Sequence, residues 1–282
     1  MENSLWFLNT VISPRYSSLT ILPETGYTLD KLDGETLCTS FSFSFAYNLG
    51  RIVYQVDSVE DAYDLSTPRR LLRGRSDYME PPKKKYIPEL VRYYLRAAGG
   101  ESCDYQYLSY YHILEFFFEK VFLDNIVDKI RGELTHPSFS YKRDKDIKNL
   151  YGKLKKLIRE TSAQSGINEL ESLKLTLKHY VPNLQTVKDG INGVSPEIIQ
   201  YLKTNTGPFS KNAISFDMTD TNAVYANLAN RIYDTRNAIA HSKETDSREK
   251  FIPYKHDSDL INEVLLIRLV AEEVVINSSK DL

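Results

Sequence analysis

The chain has 282 residues, 41% of them hydrophobic and 26% charged, with a formal net charge of −2, an ordinary globular composition that can bury a sizeable core as one large domain or two modest ones. So small a net charge excludes a protein that coats nucleic acid through bulk electrostatics, and any RNA contact must be local. Two cysteines, Cys38 and Cys103, exclude a disulfide framework and a cysteine-rich zinc site; with no basic, apolar leader and no run of about 18 apolar residues, a cytoplasmic location without a membrane partner is expected.

The first patterned stretch, Thr39-Ser40-Phe41-Ser42-Phe43-Ser44-Phe45-Ala46-Tyr47, alternates polar and apolar residues, and Gly50 leads into Ile52-Val53-Tyr54-Gln55-Val56. A period of two predicts a β-hairpin here. Ser18-Leu19-Thr20-Ile21-Leu22-Pro23 can add a strand, and a block this small is expected to pack on helices rather than stand alone. Pro68, Pro81, Pro82 and Pro88 mark residues 66–88 as a linker, so residues 1–87 read as a small β-containing segment with a basic linker, and 88–282 as a helical region.

Helical periodicity then takes over. A short helix at 88–98 stops at Gly99-Gly100, and a long one is predicted over 104–133, before Thr135-His136-Pro137. Ile147, Leu150, Tyr151, Leu154, Leu157 and Ile158 recur at three and four residues, with Lys148, Lys153, Lys155, Lys156 and Arg159 over much of the remaining surface, predicting an amphipathic helix with a basic outside. A helix at 168–180 is broken by Pro182; Gly190, Gly193, Pro196, Gly207 and Pro208 then imply a loop-rich insertion at about 182–218 around one short helix at 195–204. Asp220 or Thr221 can cap a helix running to 241, and the last helix spans 257–277. The four main helices fit an antiparallel bundle.

The helix ending at 241 carries the constellation that suggests chemistry, Arg236-Asn237-Ala238-Ile239-Ala240-His241. Asn237 and His241 stand i, i+4 on one face, and Arg236 lies about 100° round the turn with a side chain long enough to reach the same pocket. A guanidinium and an amide that stabilise a phosphate, with an imidazole that moves a proton near neutral pH, suffice to cleave RNA without metal. The bland alternative is that these side chains bond the last carbonyls of the helix. Arg231 could extend a basic cleft, although a surface position is the better reading. Glu115 and Arg268 each put a charge on an apolar stripe; they are expected to pair across the bundle, or one to turn into the cleft and orient His241. The remaining histidines show no metal-binding spacing, and phosphate-binding glycine loops, G-x-S-x-G elbows and C-x2-C pairs are absent, so no metal or other cofactor is expected.

With its flanks, the stretch from Arg231 to Lys243 resembles the R-x4-6-H signature of the HEPN superfamily, and Tyr110-Tyr111-His112-Ile113-Leu114-Glu115-Phe116-Phe117-Phe118-Glu119 resembles the first helix of HEPN domains in bacterial toxin and abortive-infection proteins. The similarity covers roughly residues 88–280. It implies a mainly α, HEPN-like four-helix bundle that usually dimerises and places two motifs across a shared cleft. The implied activity is metal-independent endoribonuclease, with RNA as substrate, Arg236 and His241 catalytic, and a cognate inhibitor or sensor protein as a possible partner in growth arrest or anti-phage defence. Some HEPN toxins are silenced by nucleotidyl transfer to a tyrosine two residues after the histidine, where this chain has Lys243. Other HEPN relatives have lost catalysis, so the alternative implied function is a non-catalytic interaction or sensor module.

Overall fold

Capping residues, glycines and prolines divide the chain into α1 (Lys31–Leu49), β1 (Lys84–Lys85), α2 (Pro88–Ala98), α3 (Cys103–Glu115), α4 (Phe118–Leu134), α5 (Asp144–Thr161), α6 (Glu169–Tyr180), α7 (Leu184–Val194), α8 (Pro196–Thr204), α9 (Thr221–Ala240), α10 (Asp257–Asn277) and β2 (Lys280–Asp281). The computed structural model describes residues 31–51, 53, 82–100, 102–161, 168–204, 209–210, 212–240, 250–253 and 255–281. The chain divides into two compact units, Met1–Glu35 and Thr36–Leu282. Nearly all described residues belong to the second, which is mainly helical, and β1, although it precedes the boundary expected at residue 87, belongs to it too.

Its centre is built from α3, α6, α9 and α10, each of which packs against the other three. Helix α10 is apolar around most of its circumference, with Leu260, Leu266, Ile267, Leu269, Val270, Ala271, Val274 and Val275 all buried, the pattern of a helix with neighbours on every side. Each fully buried Leu, Ile or Val contributes about 1.5–3 kcal/mol. Long-range hydrogen bonds fix the directions. Lys178 Nζ donates to Asn222 Oδ1 at 2.7 Å near one end of the α6/α9 pair, and Arg236 lies near Glu169 at the other, so these helices run antiparallel. Tyr107 donates to the Ile232 carbonyl at 3.0 Å, and Tyr111 lies against Arg236 one turn further along both chains, so α3 and α9 run parallel. Helix α2 packs on α3 and α10, α7 on α10, and α4 on α6.

The predicted hairpin over residues 39–56 is corrected: residues 39–49 lie within helix α1, while residues 52 and 54–56, like the strand expected at 18–23, fall outside the described residues. The Ser-Phe alternation satisfies a helix because Phe41 and Phe45, and Phe43 and Tyr47, stack at i, i+4 with ring centroids 5.4 and 5.7 Å apart. Phe43 packs on Tyr86 and Tyr94, with small Ser40 and Ala46 buried three residues to either side. Tertiary packing thus overrides the β preference of phenylalanine. Gly50 closes the helix in the left-handed region at φ 64°, its N–H donating to the Ala46 carbonyl at 3.0 Å, the role for which a helix terminus selects glycine. The β structure among the described residues is β1 paired antiparallel with β2, in register Lys84↔Asp281 and Lys85↔Lys280.

The long helix predicted over 104–133 is two, α3 and α4, joined at Phe116-Phe117. Three consecutive phenylalanines cannot share one face: Phe117 turns inward onto Tyr180 with ring centroids 4.2 Å apart, and Phe116 is left 41% exposed. The insertion at 182–218 holds α7 as well as α8, where loops around one helix were expected. Gly190, read as a breaker, lets α7 approach α10, since a Cβ there would lie 3.0 Å from Leu269 Cδ2.

Candidate functional site

Three helix segments converge around Arg236: the C-terminal part of α3, the first residue of α6 and the last turn of α9. The parallel course of α3 and α9 sets Arg236 over Tyr111, with the guanidinium carbon 5.4 Å from the ring centroid. The antiparallel course of α6 brings Glu169 Oε2 to 3.5 Å from Arg236 Nη1, which also donates to the neighbouring Asn237 Oδ1 at 3.0 Å. Asn168 positions Glu169 by capping α6, its side chain accepting from the Glu171 N–H at 3.1 Å. The Arg236 side chain remains 20% exposed. It is therefore held by stacking, an amide and a carboxylate, yet within reach of an anion from solvent.

The other ionisable side chains here are carboxylates and an imidazole. His112 Nδ1 lies 2.8 Å from Glu115 Oε2, at i, i+3 on α3. This hydrogen bond holds the Glu115 carboxyl below its usual range, opposed by burial and reinforced by the charges of His112 and Arg236. Tyr111 is 1% exposed. Burial pushes its hydroxyl far above the ordinary phenol range, with Glu169 adding to the effect and Arg236 opposing it. That hydroxyl has no hydrogen-bond partner among the described residues. Such an arrangement can bind an oxyanion through Arg236 and Asn237 if the anion displaces the loose 3.5 Å contact with Glu169.

His241 lies outside the described residues, as does Lys243; α9 is described to Ala240. Arg236 and Asn237, adjacent in the chain, are hydrogen-bonded to each other. Two other expectations are corrected. Arg231 is wholly buried rather than on the surface: Glu263 accepts from its Nε and Nη2 at distances down to 2.6 Å, the Asn212 carbonyl accepts from Nη1 at 3.0 Å, and Tyr201 lies under its guanidinium. A polar side chain on the α9 face that meets α10 needs a carboxylate there, and Glu263, one α10 turn after Leu260, supplies it. Glu115 and Arg268 do not pair with each other. Arg268 Nε donates to Glu272 at 2.8 Å one turn further along α10, and Glu272 also accepts from the Tyr94 hydroxyl at 2.8 Å. Each charge found a partner nearer than the one expected across the bundle. Glu115 lies close enough to Arg236 to feel its charge, so it belongs to the site region.

No family model, curated protein or solved structure matches this chain. Tyr111, His112 and Glu169 are the site residues that sequence reasoning missed. His112 and Glu115 had a legible signal in their i, i+3 spacing, whereas Glu169 and Tyr111 join Arg236 only through the packing of three helices. Among the described residues, no group of three or more His, Cys, Asp and Glu side chains is placed to hold a metal ion, and no helix is long and apolar enough to cross a membrane.

Proposed function

We propose that this chain is a metal-independent endoribonuclease of HEPN type. In this reading the ribose 2′-hydroxyl attacks the adjacent phosphorus, His241 accepts its proton, the bond to the 5′-oxygen breaks, and that oxygen leaves with a proton from an acid in the site. The products carry a 2′,3′-cyclic phosphate and a 5′-hydroxyl. Arg236, oriented by Tyr111 and Asn237, stabilises the charge that grows on the phosphate. The single observation that supports this most is the setting of Arg236, fixed on three sides and still partly open, within two turns of a histidine in sequence. A HEPN-like bundle dimerising across the cleft would bring a second arginine and histidine, and the setting would be a cytoplasmic toxin or anti-phage effector controlled by an inhibitor or sensor protein.

One observation favours a second reading, a non-catalytic interaction or sensor module: Arg236 already bonds Asn237 and pairs with Glu169. Glu169→Gln separates the two. In a nuclease, removing the competing carboxylate leaves cleavage equal or faster, and Arg236→Ala lowers it by about 10²–10³. In the module, neither variant cleaves RNA and neither loses activity in cells. The test is a cleavage assay on single-stranded RNA with both variants and His112→Ala, which should retain activity; loss of cleavage in His112→Ala with retention in His241→Ala would move the proton-transfer role to α3.

A further inference from the structure

Helix α5 projects a face that the core does not use. It packs on α4, to which Lys153 ties it through a 2.6 Å ion pair with Glu133, and its apolar Leu150 and Leu154 are half-buried. On the opposite face, Lys145, Lys148, Gly152, Lys155 and Lys156 form one stripe at helical spacing, all exposed. Beyond the first turn no carboxylate interrupts the stripe through Lys156. Its length, 11 rises of about 1.5 Å from Lys145 to Lys156, is roughly 16 Å.

Two features of this stripe work against the helix that carries it. Like charges three and four residues apart repel, whereas an ordinary solvated helix alternates their sign. Gly152 also lowers helix propensity, and among the described residues nothing outside its chain neighbours and its own helix backbone comes within 4 Å of the Cβ that another residue would place there. Two tyrosines flank the stripe, Tyr141 at 76% and Tyr151 at 63% exposure, each with a lysine ammonium (Lys142, Lys155) 5.8 Å from its ring centroid. Lysines that track a backbone beside exposed aromatic rings match the chemistry of single-stranded nucleic acid, where phosphates meet charge and bases stack.

We propose that the α5 stripe is a docking arm for single-stranded RNA, separate from the residues around Arg236 and recruiting the substrate on which the nuclease reading rests. A membrane surface is the less fitting occupant, because the apolar side of α5 is partly used by α4 and the aromatic residues at its margin are tyrosines beside lysines.

The experiment is fluorescence anisotropy of a labelled single-stranded RNA against the full chain carrying His241→Ala, which keeps the RNA intact, across a salt series. The variants are Lys148→Gln/Lys155→Gln/Lys156→Gln and, separately, Tyr151→Ala, each checked for unchanged thermal unfolding, as expected for exposed positions. Losing three phosphate contacts should flatten the slope of log affinity against log salt by about 2. Affinity at low salt should fall about tenfold or more in the triple variant, and Tyr151→Ala should weaken binding at least about fivefold. Unchanged affinity and slope in the triple variant overturn the proposal, as does loss of binding to anionic lipid vesicles alone. Failure of the nuclease reading looks different: RNA then binds through α5, and the parent chain with His241 in place does not cut it. Conversely, cleavage that depends on His241 but proceeds with unchanged KM in the triple variant leaves the nuclease standing and removes the arm.

Discussion

Replacing Glu263 by leucine should destabilise the protein more than any surface change, because it strands the Arg231 guanidinium. That group is 0% exposed, Glu263 is 3% exposed at its side chain, and hydrogen bonds of 3.2, 3.0 and 2.6 Å join the two. Arginine cannot shed its proton to escape burial. The Asn212 carbonyl stays as an acceptor, but a neutral oxygen does not balance the charge. Breaking a buried pair on one side costs about 3–5 kcal/mol, which for a chain of this size lowers Tm by roughly 6–20 °C. The double variant Arg231→Met/Glu263→Leu removes both charges and should recover more than half of the loss, since apolar replacement of a whole buried pair is often close to neutral. Residual destabilisation would come from the Asn212 carbonyl and the Tyr201 hydroxyl, which donates to Glu263 at 3.3 Å. Urea unfolding followed by circular dichroism measures all three. Stability of Glu263→Leu within about 1 kcal/mol of the parent, or a double variant no more stable than Glu263→Leu, would contradict this.

Two further outcomes follow from the same core. Tyr94→Phe removes the hydroxyl bonded to the buried Glu272 and should cost about 1.5–3 kcal/mol in urea unfolding, the range for a bond to a charged group; a loss below about 0.5 kcal/mol would mean that the partners that remain, Arg268 among them, satisfy that carboxylate. The protein should also unfold steeply in alkali. Tyr94, Tyr107, Tyr110 and Tyr111 have folded pKa values above their unfolded value of 10.0, and Tyr201 is pushed up to about 12. Their contribution is whole below pH 10 and is lost as pH rises above it, each of the four buried hydroxyls removing up to about 1.4 kcal/mol per pH unit. Tyrosinate absorbance should therefore show a late group of tyrosines titrating together with loss of helix; smooth titration of all of them near pH 10 with the fold intact would contradict this burial.

Much of the helical layout was legible because its signals are local. Helices α2 and α10 occupy the predicted residues 88–98 and 257–277, and α9 starts after Asp220, whose side chain accepts from the Asn222 N–H at 2.9 Å. What failed was decided by partners far away in sequence. Alternating Ser and Phe in α1 fits either a strand or a helix, and contact with Tyr86 and Tyr94 selects the helix. Gly190 signals a break in isolation and a close helix crossing once Leu269 is beside it. The charge on Arg231 reads as surface until Glu263 is known to face it. The adjacent Arg236 and Asn237 were visible as a pair, while the Glu169 contact that restrains the guanidinium arises only from the antiparallel packing of α6 on α9.

End-labelled RNA should be incubated in EDTA with the parent chain, Arg236→Ala and His241→Ala, and the product ends mapped by phosphatase and kinase sensitivity. The account predicts cutting that survives chelation, leaves 2′,3′-cyclic phosphate and 5′-hydroxyl ends, and falls at least about a hundredfold in both variants. Cutting that disappears in EDTA, or that both folded variants retain in full, would contradict it.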